Sequence, residues 1–218
     1  MKTPRVCTVI TRPDTKAIRQ AETMTDFFEV RIDLLGKDWQ QVAQSLSKPW
    51  IATNRLLAEG GAWEGSEEGR IQELLNAVNL GAAIIDIELA TPSLDEIVPR
   101  IKQKSDCLIS WHETHCTPPL SFLRQIVEEE LAAGADICKV VTTAQTIDDN
   151  ANVLMLVHEF RHAKITAFAM GEHGRTSRIL CALGGSPFTY AALDEKSRSA
   201  DGQLSIAQMY QIFETLRT

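Results

Sequence analysis

Short runs of β-branched and apolar residues recur along the chain at intervals of about 20 to 30 residues. They are Val6–Ile10, Phe27–Asp33, Trp50–Arg55, Ala83–Leu89, Cys107–His112, Asp136–Val141, Ile165–Met170 and Phe188–Leu193. Segments of helical spacing fill the gaps: 14–24, 38–46, 66–80, 93–104, 120–133, 146–162 and 176–183, with 203–216 after the last strand. In 120–133, Phe122, Leu123, Ile126, Val127 and Leu131 form the apolar stripe, opposite Arg124, Glu128 and Glu129. Strict strand–helix alternation implies right-handed crossovers and a parallel sheet, and eight repeats favour closure into an α/β (β/α)8 (TIM) barrel. Thr11-Arg12-Pro13-Asp14 follows the first strand where an open dinucleotide-binding sheet would carry its glycine fingerprint. With no linker, low-complexity tract or repeat, one domain is expected over residues 1–218.

Strands covered on both faces should be almost continuously apolar. These are not. Glu29, Arg31 and Asp33 share one parity of the second strand, Arg55 follows Thr53, Asp86 pairs with Glu88, His112 with Ser110, and Lys139 with Ile137 and Val141. Side chains two apart point the same way, so if this parity faces the barrel axis, ionisable groups from five strands converge near the strands' C-terminal ends. Each alone reads equally well as a strand end emerging into solvent. Together they form a candidate active site, because buried charges survive only when paired, hydrogen-bonded or neutralised. Lys139 lies mid-strand, where desolvation and neighbouring cations would favour the neutral, nucleophilic amine. His112 titrates near neutrality and suits proton transfer.

Composition narrows the class. The chain of 218 residues carries a net charge of −7, which opposes the attraction that drives nucleic-acid binding. No stretch approaches the length of a membrane helix, and Val6–Ile10 is too short for the apolar core of a secretory signal. Cys7, Cys107, Cys116, Cys138 and Cys181 are scattered and odd in number, as for reduced thiols in the cytoplasm. A small-molecule partner is expected, with neither nucleic acid nor membrane.

A series of motifs in order then carries a resemblance: Glu29-Val30-Arg31-Ile32-Asp33; Arg55 followed by Glu59-Gly60-Gly61; Asp86-Ile87-Glu88; Ser110-Trp111-His112-Glu113; Ala135-Asp136-Ile137-Cys138-Lys139; Met170-Gly171; Ser177-Arg178; Gly185-Ser186; and Ser199-Ala200-Asp201-Gly202-Gln203. The chain resembles the type I 3-dehydroquinate dehydratases, hydro-lyases of the shikimate pathway that convert 3-dehydroquinate to 3-dehydroshikimate and water. The resemblance implies a Schiff base between Lys139 and the substrate ketone, His112 as proton carrier, and Glu59 orienting His112. It implies Arg178 as carboxylate clamp, Glu29, Arg31 and Arg55 around the ring hydroxyls and carboxylate, and Ser199 and Gln203 on a closing loop. Met170 and Tyr190 read as pocket walls. It further implies a cytoplasmic homodimer needing no metal or other cofactor. Asp201 stands where the family usually carries proline, and the lead before the first strand is too short for the hairpin that floors the barrel in longer relatives.

Three rivals differ in chemistry. His158-Glu159-Phe160-Arg161-His162 satisfies a zinc metallopeptidase pattern. It lies on the helix after the sixth strand, whose apolar stripe of Val153, Val157 and Phe160 leaves both histidines toward the surface, and no third ligand follows at a recognisable spacing. A class I aldolase-like barrel would share the strand lysine and diverge after the imine, but Glu172 in Gly171-Glu172-His173-Gly174-Arg175 would repel a phosphate. A barrel that only binds its ligand would not need both Lys139 and His112.

Overall fold

The computed structural model describes residues 4–216. Eight strands, β1 (Val6–Ile10), β2 (Phe27–Arg31), β3 (Trp50–Thr53), β4 (Ile84–Glu88), β5 (Asp106–His112), β6 (Ile137–Thr143), β7 (Ile165–Met170) and β8 (Thr189–Ala192), pair in parallel in the order β7-β6-β5-β4-β3-β2-β1-β8. The β1–β8 pairing curls the sheet round, leaving a seam between β7 and β8 where the Thr166 hydroxyl donates to the Phe188 carbonyl at 3.5 Å. The fold is therefore a nearly closed (β/α)8 barrel.

Its helices are α1 (Thr15–Ala21), α2 (Ile32–Leu35), α3 (Trp39–Gln44), α4 (Glu67–Leu80), α5 (Leu94–Ile101), α6 (Leu120–Ala132), α7 (Asp149–Glu159), α8 (Arg175–Gly184) and α9 (Ile206–Thr215). Side-chain caps from Asp14 and Ser66 start α1 and α4, and a Ser205–Gln208 capping box starts α9. That box places Gln203 in the preceding loop, where the apolar spacing alone had extended the last helix over it.

Two boundaries and one buried face differ from the sequence pattern. The second strand ends at Arg31, and Ile32–Leu35 turns into α2 because Gly36, at φ 54°, closes a helical turn there. On α6 the buried stripe is Leu123, Ile126, Val127 and Glu130, while Phe122 and Leu131 are exposed; spacings of 3, 4 and 7 from Leu123 lead to position 130, not 131. Helix α7 stops at Glu159, so Phe160 lies past its end, and its buried apolar face is Val153, Leu156 and Val157. Part of the short N-terminal lead, residues 1–3, lies outside the described residues.

Inside the barrel, the inward parity of β2 to β6 changes from apolar at the N-terminal end to polar at the C-terminal end. Cys7, Phe27, Ile51, Leu108, Ile137 and Phe188 form a buried apolar floor. Two residues further on, the same parity presents Glu29, Thr53, Ser110, Lys139 and Tyr190, and beyond these Arg31, Arg55 and His112. Burying each apolar side chain contributes about 1.5–3 kcal/mol before entropy is counted. The floor thus supplies rigidity beneath the polar layer.

Candidate active site

A cavity of about 530 Å³, open to solvent at its mouth, lies over the C-terminal ends of the strands. Its lining contains all nine residues singled out from the sequence: Glu29, Arg31, Arg55, Glu59, His112, Lys139, Arg178, Ser199 and Gln203. Met170 and Tyr190, expected as walls, line it too, as does Phe168.

Lys139 is held in the middle of β6 and buried. Its Nζ donates to Asp86 Oδ2 at 2.8 Å, stands 3.6 Å from Glu29 Oε1 and lies 4.5 Å from the centroid of the Tyr190 ring. The sequence suggested cations beside this amine; the groups within ion-pairing reach are carboxylates. Glu29 Oε1 also accepts the Thr53 hydroxyl at 2.9 Å.

Asp86 is the group that sequence reasoning noticed by parity but assigned no role. Beyond Lys139, it accepts from Arg55 Nη2 at 2.5 Å and Ser110 Oγ at 2.7 Å. Burial works against its charge, but Arg55 and Lys139 overcome that and hold the carboxyl far below the usual carboxylate range. Asp86 is therefore a fixed anion. Arg55 in turn contacts Glu59 and Glu88, each at 3.3 Å, and these carboxylates with Asp86 outweigh burial and raise its pKa. Glu88 also pairs with the fully buried Arg70 of α4, which Glu67 and Thr91 complete. Arg31 is engaged by both oxygens of Asp33, at 2.9 and 2.6 Å.

Glu59 sits on the loop after β3, and that loop turns back tightly on the strand. Gly61 allows it, because a Cβ there would lie 2.1 Å from the Arg55 carbonyl oxygen. Asp33 ties the same loop down by accepting from Ala62 N at 3.0 Å. Glu59 Oε2 thereby meets His112 Nδ1 at 2.8 Å. Burial, reinforced by the charges of Arg55 and Lys139, lowers the His112 pKa well below its ordinary value, and burial raises Glu59 to about 7. Near neutrality the pair is best described as sharing one proton. With that proton on Nδ1, Nε2 is free to accept another.

Arg178 is different from every other charged group in the cavity. It is fully buried on α8, its guanidinium carbon lies 4.2 Å from the Phe168 ring centroid, and its Nε and Nη2 have no hydrogen-bond partner among the described residues. Burial alone lowers its pKa to about 9. A desolvated fork of donors facing a cavity is an arrangement completed by a ligand carboxylate.

The loop between β8 and α9 covers one side of the mouth. Ser199 N donates to Gln203 Oε1 at 2.8 Å, so these two lining residues fix each other. At Asp201 the loop is held by its backbone, the Asp201 carbonyl accepting from Gly171 N at 3.1 Å. Gly202 packs directly against Gly171, where a Cβ would lie 2.1 Å from the Gly171 oxygen. The loop base is tied to the segment after β1 by the Arg12–Asp194 ion pair and by Thr11 Oγ1 donating to the Ser197 carbonyl at 3.3 Å.

His158 and His162, the rival metal pair, are both exposed, and α7 ends between them, so they do not stand one helical turn apart on a single face. They are on the outer side of the barrel wall, not in the cavity lining.

The model of one family, Type I 3-dehydroquinase, matches residues 6–218. The chain belongs to that family. A 3-dehydroquinate dehydratase of Dehalococcoides mccartyi is 47% identical over 217 residues, covering 99% of this chain and 97% of the relative. One from Methanosarcina mazei is 33% identical over 231 residues, covering 99% of this chain and 96% of its own length. Among solved structures, the 3-dehydroquinate dehydratase of Geobacillus kaustophilus superposes with a TM-score of 0.86 at 25% identity, over 99% of this chain and 92% of that one. Membership in the Type I 3-dehydroquinase family makes the chain a hydro-lyase, and the cavity above the strand ends is where its fold places such chemistry.

Proposed function

We infer that this chain eliminates water from 3-dehydroquinate to give 3-dehydroshikimate, through an imine on Lys139. The observation that carries the reading is the pairing of opposites across one cavity. Lys139 stands within a nest of carboxylates, while Arg178 is a buried cation with donors unused. A substrate with a ketone to meet the amine and a carboxylate to meet the guanidinium suits both.

The Lys139 nitrogen attacks the ketone as His112 takes its surplus proton, and the carbinolamine hydroxyl leaves as water with that proton, so that a cationic imine remains. His112 Nε2, with Nδ1 held by Glu59, takes a proton from the carbon beside the imine, and the electron pair collapses into a neutral enamine. The electrons then return to expel the hydroxyl at the next carbon, which leaves as water with the proton from His112. Hydrolysis of the new imine releases product and Lys139. Neutral His112 is the form required to begin, which its burial secures, and a positioned base contributes about 100- to 10,000-fold. The cationic imine serves as the electron sink within the protein. Glu29 and Arg31 stand beside the ring hydroxyls, Arg55 keeps Asp86 and Glu59 in place, and Ser199 and Gln203 narrow the mouth.

The reading also includes a cytoplasmic setting, supported by five cysteines that are free in the fold, and a small-molecule partner in place of nucleic acid or membrane. No helix among the described residues is long and apolar enough to cross a membrane. Homodimerisation is carried by the family resemblance and is measured by sedimentation. The activity is tested by adding purified protein to 3-dehydroquinate and following ultraviolet absorbance of the conjugated enone product. Absorbance that grows with enzyme concentration is expected; none, from folded protein, overturns the assignment.

A further inference from the structure

The geometry points to Asp86 as the positioning residue that fixes the plane of the imine on Lys139, and with it which of the two hydrogens on the adjacent carbon is removed. This rests on the Schiff-base reading above. Asp86 does not line the cavity; it lies fully buried behind Lys139, and its direct contact with the reacting groups is through that nitrogen.

The free ammonium has three N–H bonds to distribute. Condensation expels water and leaves a planar nitrogen bonded to Cε, doubly bonded to the former ketone carbon, and carrying a single hydrogen. Within hydrogen-bonding distance of Nζ stands Asp86 Oδ2, at 2.8 Å. Glu29 Oε1 is farther, at 3.6 Å, and already accepts from Thr53. The Tyr190 ring covers another side. The lone N–H of the imine is therefore directed at Asp86. Arg55 and Ser110 clamp the other carboxylate oxygen, so the acceptor cannot swing to follow a rotating nitrogen.

Two directions at a planar nitrogen, Cε and N–H, define the plane of the C=N bond and its isomer. Proton removal sends the C–H electron pair into the π system, so the breaking C–H bond must stand nearly perpendicular to that plane. With the plane fixed and His112 on one side, one of the two hydrogens is both aligned and within reach. The proton passes to His112, the electron pair forms the enamine double bond, and the nitrogen becomes neutral. Without Asp86 the N–H turns to water or Glu29, and the plane turns with it.

The test uses two samples of 3-dehydroquinate, each deuterated at one of the two hydrogens beside the ketone, with product deuterium read by mass spectrometry. The wild type should lose label from one sample and retain it from the other. Asp86→Asn and Asp86→Ala should still be trapped by borohydride at Lys139, turn over about 100-fold more slowly, and mix the two labels. Folded variants that are slow yet keep full selectivity overturn the proposal, since general loss of charge would slow the reaction without changing which hydrogen leaves. If the variants do not fold, the borohydride-reduced adduct of the wild type decides by its structure. A secondary amine within about 3 Å of Asp86 Oδ2 supports the assignment; one turned toward Glu29 contradicts it. A wild type that cannot be trapped at all refutes the Schiff-base reading instead, which keeps the two failures apart.

Discussion

Arg55 and Arg178 are both buried in the wall of one cavity, yet they stand in opposite electrostatic conditions. On the β3–β4 side, Arg55 is surrounded by Asp86, Glu88 and Glu59, which drive its pKa up. On the β7–β8 side, Arg178 has an aromatic face beneath it and no carboxylate partner among the described residues, and burial lowers its pKa to about 9. Burying a charge is costly unless it is paired, so the contrast separates two jobs. Arg55 completes a network that the fold needs. Arg178 carries a cost in the free protein, and on the proposed function a ligand carboxylate removes it.

Substitutions that erase each charge while keeping bulk tell the two jobs apart. Arg55→Met leaves three carboxylates without their shared cation and should destabilise the protein by about 3–5 kcal/mol, read by urea unfolding at pH 7. Arg178→Met should leave substrate binding without its anion clamp, lowering kcat/KM by on the order of 100-fold, equivalent to about 3 kcal/mol. The same Arg178→Met protein, without ligand, should be as stable as the wild type or more so by about 1–2 kcal/mol, since it removes an unpaired buried charge. A large loss of stability there would show that Arg178 is structural after all and break the contrast.

The smallest expected effect concerns the shared proton of His112 and Glu59. His112 is depressed in the fold, so between its folded value and about 6.5 the unfolded chain binds more protons and stability rises with pH. Glu59 is raised from 4.5 to about 7, so over that window the folded chain binds more and stability falls with pH. The two slopes oppose each other wherever these windows overlap below about 6.5. Glu59→Gln exposes the histidine slope alone, and stability should then fall as pH falls below about 6.5, by at most about 1.4 kcal/mol per unit. Wild type and variant with parallel pH–stability curves would contradict the shared proton.

Much of this was legible in the chain. The strand spacing set the barrel, and the parity of Glu29, Arg31, Arg55, Asp86, His112 and Lys139 converged on one end because period-two side chains cannot change face without a bulge. Family motifs supplied Glu59, Arg178, Ser199 and Gln203, which no periodicity marks. What escaped was pairing in three dimensions. Asp86 was visible as an inward carboxylate, but its bond to Lys139 depends on the register of two strands that are not neighbours. Phe168 reads as an ordinary core residue of β7, and the Arg178 guanidinium over its ring shows only once α8 has been laid against that strand. Glu130 was hidden differently: it occupies the buried stripe of α6, where burial raises its pKa well above a normal carboxyl's, while the apolar pattern drew the stripe through its neighbour Leu131.

On the proposed mechanism, the charged end of the barrel makes and uses an imine on Lys139. Reduction with borohydride in the presence of 3-dehydroquinate, followed by peptide mass mapping, tests it most directly. A substrate-derived mass increase on the peptide that carries Lys139, loss of activity in proportion to it, and no adduct in Lys139→Ala are expected. Unmodified Lys139 in protein that is turning substrate over, or an adduct placed on another lysine, would contradict it.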